Sequence, residues 1–211
     1  PMRQDERVTR GMPSAVPDDG LSTQQRRLRP ALIVNTGDGK GKSTAAFGTA
    51  LRGWAQGWSI GVFQFVKSSS WHTGERVAFE ALDALHRETG QGGPVSWIAD
   101  GLGFTWTRRG GDLDAQAEIA RATWGHVREL MAAQAHRLYV LDEFTYPLLR
   151  GWVDLDEVLQ MLAERPGTQH VIVTGRRAPE ALCELATAVT EMTKHKHPFD
   201  QGQKGQSGIE W

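Results

Sequence analysis

Thr36-Gly37-Asp38-Gly39-Lys40-Gly41-Lys42-Ser43-Thr44 follows the short apolar run Ala31-Leu32-Ile33-Val34 and precedes Ala45-Ala46-Phe47-Gly48-Thr49-Ala50-Leu51. The order reads as strand, glycine-rich loop and helix. Three glycines let backbone N–H groups curl around phosphate oxygens that a Cβ would obstruct. A helix beginning near Lys42 aims its free N–H groups and its positive dipole end at the same anion. Lys42 adds a mobile ammonium, and Ser43 a hydroxyl able to ligand Mg²⁺. The usual phosphate loop carries a first glycine where this chain has Thr36, and Gly37 stands one residue later. The turn is therefore tighter or begins differently. An ordinary glycine-rich βα turn is the plainer alternative, and the joint occurrence of strand, loop, Lys-Ser and helix speaks against it.

A chain of 211 residues is large enough for one α/β domain with a real core. Its formal net charge of −1 provides no global basic field to recruit nucleic acid. Cys183 is the single cysteine, so no internal disulfide framework exists, which suits a reducing cytosol. No apolar run reaches membrane-spanning length, and the N-terminal residues lack the apolar segment of a signal peptide. Tryptophan is abundant, at eight residues; many are expected in the core, and some are candidates to line a large flat ligand.

Residues 1–29 are polar and poorly periodic and predict a mobile arm, with an active-site lid as the functional alternative. Strands are expected at 31–35, 59–66, 95–99, 138–143, 170–174 and 189–192. Helices are expected at about 43–56, 75–87, from Asp112 or Asp114 to 136, 152–164 and 179–187. The run Leu138-Tyr139-Val140-Leu141 ends in Asp142-Glu143, as a strand that places carboxylates beside Mg²⁺ should. Glu143 reads as the metal-side residue and Asp142 as its orienting neighbour, although the two could be exchanged. Arg176 and Arg177 follow the fifth strand, where they could reach phosphate or simply be solvated. Phe104 and Trp106 fall on one side of an extended segment, and two core aromatics at a strand end are the simpler explanation. His195 and His197 lack a nearby third metal ligand, which favours an exposed tail that folds back near the site.

The loop, Gly103-Phe104-Thr105-Trp106, Leu141-Asp142-Glu143 and Pro198-Phe199-Asp200 together resemble the phosphate-loop type of ATP:cob(I)alamin (corrinoid) adenosyltransferases. The resemblance covers roughly residues 30–211 and extends to Gly61 through Lys67 and to Asp142 through Tyr146. It implies an α/β, single-domain, phosphate-loop NTPase-like (RecA-like) fold with a mostly parallel sheet covered by helices on both faces. It also implies an organisation of arm (1–29), adenosyltransferase domain (30–193) and tail packing near the site (194–211).

Members of this family transfer the 5′-deoxyadenosyl group of ATP to cobalt and release triphosphate. They hold ATP in the reverse sense, so that attack falls on the ribose 5′ carbon. By matching position, Gly37, Asp38, Gly39, Lys40, Gly41, Lys42, Ser43 and Thr44 cradle the triphosphate, and Lys42 neutralises it. Ser43 and Glu143 hold Mg²⁺ (or Mn²⁺). Phe104 and Trp106 pack against the corrin of a cobalamin-type substrate and wedge into its lower axial position, leaving four-coordinate Co(II), which is easier to reduce. The implied partners are a flavodoxin-like flavoprotein reductant and a second copy of the chain in a homodimer; neither nucleic acid nor a membrane is implied. Two other classes remain in competition: a phosphate-loop ATPase or kinase acting on the γ-phosphoryl group, and a non-catalytic nucleotide-binding or RecA-like nucleic-acid module. The first gives ADP and phosphate. The second lacks the basic, aromatic-interleaved stripe that nucleic acid demands.

Overall fold

The structure is a computed structural model, and residues 19–66, 73–99 and 113–209 are described. It is built on a single sheet of β1 (Leu32–Thr36), β2 (Ile60–Gln64), β3 (Val95–Ile98), β4 (Leu138–Asp142), β5 (His170–Thr174) and β6 (Ala188–Glu191). The strands run in the order β3-β2-β4-β5-β1-β6, and every neighbouring pair is parallel. Helices α1 (Thr23–Arg27), α2 (Lys42–Ala55), α3 (Gly74–Thr89), α4 (Leu113–Ala132), α5 (Thr145–Leu149), α6 (Leu155–Glu164) and α7 (Glu180–Leu185), with a 3-10 turn at Pro198–Gln201, complete the described elements.

The central strands are apolar in succession because both faces are covered. Alternate residues enter two separate cores. Leu32, Val34, Phe63, Tyr139, Leu141, Val171 and Val173 pack with Trp124, Val127 and Met131 of α4 and Val158 and Leu162 of α6. On the other face, Ile60, Val62, Leu138, Val140 and Ile172 pack with Ala46, Phe47, Ala50 and Trp54 of α2 and Phe79 of α3. This period-two division of one continuous apolar run puts helices on both sides of the sheet.

Helix boundaries follow their caps. Thr73 caps α3, accepting from the Arg76 amide, and Gly90 ends it at φ 74°. Helix α6 starts at Leu155 rather than at Trp152, because the Asp154 carboxylate accepts the Glu157 amide at 2.8 Å and so fixes the first turn. The one-turn helix α5 was not expected from the sequence. It is too short to show a 3.6-residue period, and its Pro147 sits in the first turn, where no intrahelical N–H bond is lost. Within the segment read as an arm, residues 23–27 are helical, held by a Ser22–Gln25 capping box and an Asp19–Arg26 ion pair.

Candidate functional site

Strand β5 lies between β1 and β4, so the ends of β1 and β4 stand two strand spacings apart, about 9.6 Å. The loop after β1 and the first turn of α2 bridge that gap. Thr36 remains within β1: its hydroxyl accepts from the Ala178 amide at 3.0 Å and its carbonyl from the Met192 amide at 2.9 Å. With Thr36 held on both sides, the turn begins one residue later, at Gly37 with φ 94°. That accounts for the displaced first glycine.

The loop is pressed against the end of β6. A Cβ on Gly37 or on Gly39 would meet the Met192 carbonyl oxygen at 2.6 Å. The Gly39 amide donates to that same carbonyl. Gly41, at φ 109°, is the N-cap of α2 and supplies no side-chain cap, so the N-terminus of this helix faces the loop without a capping group.

The Lys42 ammonium lies over the loop, donating to the Gly37 carbonyl at 2.8 Å and the Gly39 carbonyl at 2.7 Å. Burial lowers its pKa first, and the Arg176 guanidinium lowers it further, against the opposing pull of Glu143 and Asp38. A half-buried cation and an uncapped helix N-terminus together make the loop suited to a polyphosphate. Arg176 is brought to the same loop and donates to the Asp38 carboxylate at 2.9 Å across an exposed ion pair. Arg177 is exposed and carries φ 49°. Thr44 follows in the first turn of α2, exposed to solvent.

Behind the loop stands the fully buried Asp142. Its Oδ1 accepts from the Ser43 hydroxyl at 2.7 Å and from the Thr174 hydroxyl at 2.8 Å, and its Oδ2 accepts from the Gln64 amide at 3.0 Å. Thr174 Oγ1 in turn accepts from the Glu143 amide at 3.0 Å. Glu143 holds the left-handed conformation, φ 59°, which a non-glycine residue adopts at a cost and which clusters at functional sites. The two acids that the sequence left interchangeable are thus separated. Asp142 is the buried acceptor that holds Ser43, and Glu143 is the half-buried neighbour whose charge acts on Lys42.

Gln64 and Thr174 were missed by sequence reasoning as members of this site. Their signal is a polar side chain at the last position of an apolar parallel strand, the edge where α/β sheets bind ligands. Phe104 and Trp106, the proposed corrin wedge, lie outside the described residues, as do Asp112 and residues 1–18 of the arm. His195 is exposed, and His197 Nδ1 accepts from the Phe199 amide. Among the described residues no group of three or more His, Cys, Asp or Glu side chains gathers to hold a metal.

A glycine-rich loop that leads into an uncapped helix N-terminus and carries an ammonium at the carboxyl edge of a parallel sheet, with a hydroxyl pinned to a buried acid beside it, defines the class: a phosphate-loop nucleotide-binding protein. Comparison with known proteins narrows the class to one family. The chain belongs to the ATP:corrinoid adenosyltransferases, because the family model described as "ATP:corrinoid adenosyltransferase BtuR/CobO/CobP" matches residues 29–211. It is 38% identical over 193 residues to a corrinoid adenosyltransferase of Escherichia coli K12, covering 92% of this chain and 91% of that one. A corrinoid adenosyltransferase of Pseudomonas aeruginosa is 39% identical over 211 residues, covering 99% of this chain and 96% of the relative. The Salmonella typhimurium corrinoid adenosyltransferase CobA is 38% identical over 193 residues, 92% of this chain and 91% of its own.

Proposed function

We propose that this chain transfers the 5′-deoxyadenosyl group of ATP to the Co(I) centre of a corrinoid and releases triphosphate. The observation that carries the reading is the family match across residues 29–211, which includes the whole phosphate loop. Gly37 through Thr44 surround the triphosphate, and Lys42 turns from the Gly37 and Gly39 carbonyls to the phosphate oxygens. The loop then stabilises charge on the leaving group, and no protein nucleophile is required because Co(I) attacks the 5′ carbon itself. A new carbon–cobalt bond forms as the C5′–O bond to triphosphate breaks, with the oxygen keeping the bonding pair.

Mg²⁺ fits the residues beside Lys42. It takes hard oxygen donors, commonly one or two carboxylates together with substrate phosphates. The Ser43 hydroxyl and the Glu143 carboxylate are such donors, with Asp142 holding Ser43 in place. When bound, the ion neutralises charge on the triphosphate.

Phe104 and Trp106 pack against the corrin and occupy the lower axial position of Co(II). A flavodoxin-like protein supplies the electron, and the enzyme works as a homodimer in the cytoplasm. A single cysteine suits that compartment, and among the described residues no helix is long and apolar enough to cross a membrane. The tail, residues 194–211, packs near the site. Support comes from its start beside the loop, where a Cβ on Gly39 would meet the Thr193 carbonyl at 2.8 Å. Residues 1–29 serve as the arm.

The test is anaerobic incubation of protein, MgATP and chemically reduced cob(I)alamin. The expected result is replacement of the Co(I) spectrum by that of a light-sensitive alkylcobalamin. A Co(I) spectrum that persists while ATP is consumed contradicts the assignment.

A further inference from the structure

We propose that Gln64 and Trp97 form an orienting relay that fixes the face Asp142 presents to Ser43. Gln64 is then a positioning residue for the cation of the bound nucleotide. The proposal rests on the reading above that Ser43 and Glu143 hold Mg²⁺.

Gln64 is the last residue of β2, is 1% exposed and stands opposite Asp142 in the strand register. A buried amide is costly unless both its ends are satisfied, and an apolar side chain would fill the same volume without that demand. Here both ends are used. The Trp97 indole N–H, which can only donate, gives its hydrogen to Gln64 Oε1 at 3.2 Å. The amide orientation is therefore settled: Oε1 faces Trp97, and Nε2 must face Asp142, to whose Oδ2 it donates at 3.0 Å. Reversing the amide would set two N–H groups against each other at Trp97 and two acceptors against each other at Asp142.

With Oδ2 held by Gln64, Oδ1 accepts both the Ser43 and Thr174 hydroxyls. Ser43 has one hydrogen to donate. Giving it to Asp142 directs the oxygen lone pairs elsewhere, as a metal ligand needs. Trp97 is itself fixed, stacked on Phe47 of α2 at 5.3 Å between ring centroids with an interplanar angle of 22°. It also packs at 6.0 Å against Phe79 of α3. Helix α2 begins with Lys42 and Ser43, so the relay closes on itself: Ser43, Asp142, Gln64, Trp97, Phe47 and back along the helix to Ser43. Rotation of any member is resisted by the next.

The test uses the full chain carrying Gln64→Leu, Trp97→Phe or both. ATP affinity is measured by calorimetry with Mg²⁺ and with EDTA, alongside the thermal midpoint. Gln64→Leu is expected to weaken ATP binding about tenfold with Mg²⁺ and to leave Mg²⁺-free binding within about twofold. Trp97→Phe shifts the same ratio about threefold, and the double variant is no weaker than Gln64→Leu because Trp97 acts through Gln64. Equal losses with and without Mg²⁺, or additive losses, overturn the proposal in favour of simple packing. If Gln64→Leu fails to fold, the ratio in Trp97→Phe decides alone. A wild-type affinity that Mg²⁺ leaves unchanged overturns the metal reading itself, and the relay with it.

Discussion

Replacing Gly39 by alanine tests whether the phosphate loop is shaped by the strand end beside it. A methyl group at Gly39 would lie 2.6 Å from the Met192 carbonyl oxygen and 2.8 Å from that of Thr193. Both obstacles are backbone, so neither can swing aside as a flexible side chain could. Overpacking of this kind costs about 1–3 kcal/mol. Relief requires the loop to lift from β6, which sacrifices the bond from the Gly39 amide to Met192, a further loss of about 1 kcal/mol. A total near 3 kcal/mol lowers the midpoint of a domain of this size by about 6–12 °C. Gly48, an exposed position in α2 with nothing within 4 Å of its Cβ direction, provides the control. Gly48→Ala gains helix propensity and should raise stability by about 0.5–1 kcal/mol. Thermal unfolding followed by circular dichroism compares the two. A Gly39→Ala protein that melts with the wild type would show that the end of β6 does not shape the loop, and a Gly48→Ala protein that melts well below the wild type would show that the losses are not specific to Gly39.

Three further outcomes are expected. Lys42→Ala removes the cation lying over the loop and should weaken ATP binding about 100-fold by calorimetry and abolish turnover; unchanged affinity would remove Lys42 from the residues that hold the phosphates. Phe104→Ala and Trp106→Ala should slow adenosylation that starts from Co(II) far more than adenosylation from pre-reduced Co(I), and equal losses would dispose of the wedge. Acid should destabilise the fold through His136 and His170. Burial lowers both pKa values below the ordinary 6.5, and His170 Nδ1 accepts from the Ala31 amide, so the native state favours the neutral form of these rings. Their contribution is therefore fully present above the unfolded value and is lost as pH falls below it and through the lower native value, so the thermal midpoint should decrease as pH is lowered from about 7 to about 5. A midpoint that stays constant across that range would contradict this.

The first strand, the loop and α2 were legible because their information is local: an apolar run, glycines and Lys-Ser at fixed spacing. The parallel sheet was legible because the second strand is nearly continuous in apolar character, as a strand buried on both faces should be. What escaped depends on contacts between distant residues. Asp142 meets Gln64 across 78 positions and Thr174 across 32, and Gln64 meets Trp97 across 33. No periodicity within any one segment announces such a junction. Which acid holds Ser43 was undecidable from the pair Asp142-Glu143, because the turn that separates them lies in the φ of Glu143, not in its identity. The displaced glycine was visible, but its cause was not: Thr36 is kept in β1 by Met192 and Ala178, both distant in sequence.

In the proposed reaction the loop releases three phosphates as one unit while carbon, not phosphorus, is attacked. Phosphorus NMR of the products after complete turnover of MgATP with cob(I)alamin reads this directly. Triphosphate is expected in equal amount to the alkylated corrinoid. ADP and orthophosphate, formed without a carbon–cobalt bond, would contradict it.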